Sequence, residues 1–567
     1  MTSAVLLASL AVACASSPPP STGASAEPAA PGSTITGNYL AARHARAAGE
    51  ETDAAAFLLA ALKGAPDDPV LLSRAYVVLT LDGRVPEAVE VARRLLVVDQ
   101  GAALAHVVVA VGDIHAGRFK AAAERLHAIP SSPLSTFLVP TLLAWTELGA
   151  GDKPAAMASL AGLQSNPALA TLYHVHAAWL TDTAGDGAAS LTHVQAAVDA
   201  QPEPWLRLAE LGGGIYERAG RPDDARALYG RYLDQHPDSQ LLAPALARLD
   251  KGGARPERDI VTARDGAAEA LFDSAGIAGR QNNRETALAL GRLGLFLRPD
   301  FPPLQILVAD MLDQSERYAE ANRLYESIDP RHPLATTAQL GVARNLDRME
   351  RFDDAEAMLR RMAAERPDDP EPLGELADSL RRREKFAEAA AVYDEAITRV
   401  QPLQPRHWRL LYARGIALER SKQWQRAEAD FLKALEFEPE QPYVLNYLGY
   451  SWVEQGRNLE RAETMIRKAV ELRPNDGYIV DSLGWVLYRL GRPQEAVEPM
   501  ERAVELKPED PVINDHLGDV YWAVGREREA RFQWQAALAS NPEPELKETL
   551  RRKLTEGLVR EANAETR

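Results

Sequence analysis

Residues 479–508 read IVDSLGWVLYRLGRPQEAVEPMERAVELKP, and residues 410–439 read LLYARGIALERSKQWQRAEADFLKALEFEP. Aligned on Gly484 and Gly415, the two stretches share an alanine 12 positions on (Ala496, Ala427) and a bulky apolar residue four later (Met500, Phe431). A second alanine (Ala503, Ala434) and a proline (Pro508, Pro439) follow. The same order recurs as Gly449, Ala462, Ile466, Ala469, Pro474 and as Gly518, Ala530, Trp534, Ala537, Pro542, so the period is 34 or 35 residues. The pattern predicts two antiparallel helices per period. The glycine on the first (A) helix lets the second (B) helix approach where a larger Cβ would hold it off. The alanine opening helix B meets that gap, and the bulky residue fills the groove beside it. The proline ends helix B by removing an amide donor and disfavouring helical geometry just before it.

A repeat of this length and residue order resembles the tetratricopeptide repeat. One such hairpin cannot bury its own apolar face, so the resemblance implies an all-α solenoid of stacked antiparallel helix pairs. Binding, rather than chemistry, is the function expected of such a scaffold.

Composition narrows the partners. The chain carries a formal net charge of −17, with 46% apolar residues. An acidic chain argues against nucleic acid, which needs a basic face. Arginine runs such as Arg381-Arg382-Arg383 lie among carboxylates and read as solvated helix faces. No apolar run is long enough to cross a bilayer as a helix. The one cysteine, Cys14, leaves no disulfide and no thiolate zinc site. It follows MTSAVLLASLAVA and precedes Ala15-Ser16-Ser17. Residues 1–14 resemble a bacterial lipoprotein signal ending at a lipidated Cys14. They depart from that pattern in having Ala11 three places before the cysteine and no Lys or Arg ahead of the apolar segment. An ordinary cleaved signal and a cytoplasmic chain with an apolar start are the alternatives. With the lipid in place, two or more acyl chains give lasting anchorage. Ala15 in place of an aspartate then implies the periplasmic side of the outer membrane.

Along the chain, residues 15–36 are rich in Ser, Pro, Ala and Gly and read as a flexible linker. Residues 37–237 carry a degenerate form of the repeat, and 238–266, with Gly252-Gly253 and Pro256, break the rhythm as a loop between two arrays. Residues 267–542 form the second array, interrupted by QPLQPR at 401–406. In 543–567, Leu546, Leu550, Leu554 and Leu558 share a helical stripe suited to covering the last apolar face. About fourteen repeats are expected in all.

No enzyme constellation emerges. Gly212-Gly213-Gly214 lies inside a repeat helix without a following Lys-Ser/Thr, and no HExxH pair occurs. His174 and His176, two apart on a helix, point to different sides, so neither a metal nor a cofactor is expected. The candidate surface is the inner face lined by the A helices. Reading its usual positions gives Tyr412 and Ile416; Asn446, Tyr450 and Glu454; Asp481, Trp485, Tyr488 and Arg489; and Asp515, Asp519 and Trp522, with His516 a further candidate. Aromatics beside amide and acidic groups have the character of interface hot spots. Asn446, Asp481 and Asp515 form a series able to hold a peptide backbone. For Trp485 and Tyr450, packing between A helices is an equal alternative, and Trp452 is read as core.

The stretch from NYLGYSWVEQGRNLERAETMIRKAVELRP (446–474) onward to QAAL (535–538) resembles a class of proteobacterial tetratricopeptide lipoproteins. That class includes outer-membrane adaptors of periplasmic carboxy-terminal-processing proteases. The resemblance implies a non-catalytic scaffold that docks such a protease and its substrates. Scaffolds for export, pilus or polysaccharide machines are the alternative, and the regulatory arm of an enzyme a third.

Overall fold

The structure, a computed structural model, describes residues 30–130, 133–237 and 239–558. Cys14, the signal segment 1–14, linker residues 15–29 and tail residues 559–567 lie outside the described residues. Every regular element among those described is a helix. Fourteen helix–turn–helix repeats follow one another, with the short helix Ala243–Asp250 after the sixth and the helix Pro544–Glu556 at the end.

The local chemistry of each repeat is uniform. An aspartate caps the A helix: Asp510 accepts from the amides of Val512 (2.9 Å) and Ile513 (3.0 Å), with Pro511 at the first helical position. Such a cap stabilises a helix by about 1 kcal/mol. The A–B turn needs one residue in the left-handed region. Glycine supplies it at Gly49, Gly83, Gly117, Gly151, Gly185 and Gly220, whereas Asn282, Glu316, Glu350, Glu384 and Lys422 adopt it with side chains attached. The helices then meet where the sequence places small against large. A Cβ on Gly484 would lie 2.5 Å from Met500 Cγ, and one on Gly518 would lie 2.4 Å from Trp534 Cδ1.

The chain divides into two compact units, 1–342 and 343–567. The first corrects the reading of 238–266 as a spacer between two arrays. After that segment, the hairpin formed by Ala263–Arg280 and Arg284–Leu297 folds back onto the first six repeats. It packs on their A helices Pro69–Leu81, Ala103–His115, Pro133–Gly149 and Ala170–Thr183. The inner wall of the first array is therefore covered by the chain itself, and the boundary falls within the helix Ala335–Arg348 instead.

Specific groups hold the hairpin there. Trp145, fully buried, leaves room only for a residue without Cβ, and Gly266 lies against it with a would-be Cβ 2.1 Å from the indole. The Phe296 ring stacks on His115 at 4.2 Å. Arg46 donates to Glu285 (2.5 Å), and Thr183 donates to the Ile260 carbonyl (3.1 Å). Deeper in, buried Arg207 donates to fully buried Glu269 and to Asp259, and Arg298 donates to Asp259 at 2.7 Å. Burial pushes the Glu269 carboxyl up to about 7, while the Arg207 charge beside it pulls the other way.

Removing one member of such a buried pair leaves an uncompensated charge. Arg207→Ala is expected to destabilise the first unit by about 3–5 kcal/mol, and replacing Glu269 by Leu in the same chain should recover much of that loss. Urea unfolding of the single and double variants measures both.

Candidate binding surface

With the first array's inner wall occupied, the second unit carries the accessible candidate surface. Its A helices Trp408–Arg420, Pro442–Glu454, Gly477–Arg489 and Pro511–Ala523 lie side by side, each packed against its own B helix and neighbouring the next A helix. Residues one repeat apart thus line up across the wall.

At one end the wall is aromatic and largely neutral. Tyr412 is half-buried, edge-on to Tyr447 at 6.1 Å and beside Phe431 at 6.2 Å, and burial pushes its hydroxyl up to about 12. Tyr447 donates to Glu419 (3.2 Å), and Ile416 is half-buried in the same helix. Tyr450, also half-buried, has its hydroxyl raised by burial and then by the negative field of Glu454 and Asp481. Between these rings stands Asn446, whose Oδ1 is shielded yet accepts no hydrogen bond. An unmet buried acceptor costs about 1–3 kcal/mol, so this amide is primed for an external donor.

The other end is different. Trp485 stacks on His516 (4.0 Å, 13° between planes) and on Tyr488 (5.1 Å, 24°), and its Nε1 donates to Glu454 at 2.7 Å. Arg489 lies 3.6 Å from the same Glu454. Asp481, 6% exposed, accepts from His516 Nδ1 at 3.0 and 3.1 Å. Asp515, 7% exposed, accepts from Lys553 Nζ at 2.7 and 2.8 Å. Lys553, on the C-terminal helix, also donates to Asp519 (2.8 Å), and Trp534 Nε1 donates to the same carboxylate at 3.0 Å. Trp522 packs 5.4 Å from Trp534, and a Cβ on Gly557 would lie 2.2 Å from its ring.

These placements revise the sequence reading of the wall. Asn446, Asp481 and Asp515 do occupy equivalent positions, but only Asn446 is left for a ligand. The two aspartates are too buried to stay unpaired, so the next helix supplies a cation to each. Trp485 and Trp522 serve the packing between helices. The even choice between packing and binding thus resolves to packing for Trp485, while Tyr450 stays on the neutral stretch beside Asn446. Trp452 is core, 1% exposed, with Nε1 donating to Glu428. Missing from the sequence reading was Lys553, signalled by its place one repeat beyond the His516 register in a helix otherwise read as a leucine stripe. His174 and His176 do diverge: His174 meets His193 (Nδ1 to Nδ1, 3.3 Å), and His176 Nε2 lies 3.1 Å from Asp273. No group of three or more metal-ligating side chains occurs among the described residues.

Family comparison agrees with this geometry. Models of the tetratricopeptide repeat match residues 202–249, 312–376, 375–443 and 446–511. The chain is a tetratricopeptide-repeat protein. Among solved structures it is similar to Cut9 in the APC/C hetero-tetramer Cut9–Hcn1 (13% identity, 92% of this chain and 96% of that chain, TM-score 0.38). It is also similar to yeast Tom70 (13%, 92% and 95%, 0.34). YrrB, described as a tetratricopeptide protein with an unusual peptide-binding site, matches at 21% identity over 34% of this chain and 97% of that one, with a TM-score of 0.28. No curated protein matches the chain. These likenesses speak for the helical repeat alone.

Trp522→Ala tests the packing role in this tetratricopeptide wall. Because the ring is only partly buried, the expected loss is about 2 kcal/mol, below the 3–5 kcal/mol typical of a fully buried tryptophan. Thermal unfolding reads the loss, and the far-ultraviolet helix signal at low temperature should stay unchanged.

Proposed function

We propose that this chain is a non-catalytic adaptor of the bacterial envelope that takes a protein or peptide partner on the inner wall of its second unit. The observation that carries the reading is the unpaired Asn446 carbonyl oxygen set between half-buried Tyr412 and Tyr450. Rings of this kind give large contact area with few rotors to freeze, and an amide beside them can pair a ligand backbone. Three stretches of the repeat matched in the second half of the chain fit a scaffold role, as this repeat family typically serves interaction and not catalysis.

The finer parts of the proposal rest on the N-terminal sequence and on the wording of 446–538. A lipid on Cys14 holds the chain at the outer membrane, facing the periplasm. The partner is a carboxy-terminal-processing protease or one of its substrates, brought together on the wall. No cofactor or metal has a role.

Two measurements separate these layers. Cys14→Ser should abolish acyl labelling and release the chain from membranes; continued labelling removes the anchor from the proposal. Asn446→Ala with Tyr450→Ala should lower capture of the partner from envelope extracts by tenfold or more, about 1.4 kcal/mol, with the helix signal intact. Recovery of export or glycan-assembly components in place of a protease would move the function to an assembly scaffold, and undiminished capture by the double variant would move the binding site elsewhere.

A further inference from the structure

The far end of the second unit's wall holds a cluster of ionisable groups that the binding proposal does not use. Asp481, Asp515, His516, Asp519 and Lys553 are each less than a tenth exposed. They come from three helices. Gly477–Arg489 supplies Asp481 together with the Trp485 and Tyr488 rings; Pro511–Ala523 supplies Asp515, His516 and Asp519; and the C-terminal helix supplies Lys553. His516 Nδ1 donates to both oxygens of Asp481, and its ring lies flat on Trp485 at 4.0 Å. Lys553 alone meets both Asp515 and Asp519.

Counting charge shows what the cluster requires. Three carboxylates face one ammonium. With His516 as an imidazolium the residual is a single negative charge, and protonation of one carboxylate cancels it. With His516 neutral, two uncompensated negative charges remain in a site closed to water. Buried charge of that kind is costly. The imidazolium also gains from the indole face beneath it.

We propose that this cluster is a pH-operated latch, which holds the C-terminal helix to the wall while His516 is protonated and loosens it when the proton leaves. The titration directions agree in sign. Although burial by itself disfavours its charge, His516 is raised above its ordinary value by Asp481, with Asp515 and Asp519 adding. Burial and then Asp515 push Asp519 up to about 6. Both groups bind protons more readily folded than unfolded, so their contribution is present in mild acid and is lost as pH rises through the folded values, above about 6. The helix should be tightest near pH 6 and looser in mild alkali. This inference concerns the chain's own helix and stands apart from the partner and the lipid.

Hydrogen exchange of the full chain, corrected for the chemical rate, tests it. Between pH 6 and 8.5, protection of residues 544–556 should fall by about tenfold, the equivalent of one unit of pKa shift, while the hairpin at 424–454 holds steady. His516→Gln should flatten the dependence, and Asp481→Asn should move the transition to lower pH. Equal protection of 544–556 at both pH values in the unmodified chain overturns the latch, whether or not either variant folds. So does a dependence that survives His516→Gln.

Discussion

The close approach of small residues on one helix to bulky residues on the next sustains everything else in this molecule. Gly415 under Phe431, Gly484 under Met500 and Gly518 under Trp534 would each have a Cβ within 2.6 Å of the partner side chain. Because interiors pack at crystal-like density, neither side of such a contact can grow by a methylene without strain. These contacts set the A–B distance, and the A–B distance sets how neighbouring A helices line up as a wall. The alignment of Asn446, Asp481 and Asp515 is a downstream result of those glycines.

The two units use the same repeat to opposite ends. In the first, the chain's own hairpin covers the concave side, with Gly266 against Trp145 and Glu269 paired to Arg207. In the second, the wall is closed only at its last repeat, where Lys553 and Gly557 settle over Asp515 and Trp522. Between lies the stretch of Tyr412, Asn446 and Tyr450, where polar capacity outruns the partners within the chain. A repeat wall becomes a receptor where its own side chains fail to satisfy one another.

Much of this was legible in the residues. Local chemistry wrote the helix pairs, the period and the capping helix, and Pro508, Asp510 and Pro511 mark one helix boundary within four residues. The degenerate N-terminal repeats were more regular than their core positions suggested. Gly49, Gly83, Gly117, Gly151, Gly185 and Gly220 recur every 34 or 35 residues because each A–B turn needs a left-handed residue. The return of 263–297 onto the first array was not legible. It depends on pairs such as Arg46 and Glu285, 239 residues apart, for which periodicity carries no signal. The roles of Asp481 and Asp515 were misjudged for a related reason: position names a side chain's neighbours in its own repeat, while the cation that consumes it comes from the next.

The self-covered first array imposes an order in time. Its A helices are synthesised well before the hairpin that covers them, and at about 5–20 residues per second a separation of 239 residues corresponds to roughly 10–50 s. Throughout that interval the apolar face around Trp145 has no lid. Biogenesis of this chain therefore passes through a sticky, half-built stage whose shelter must come from outside the polypeptide.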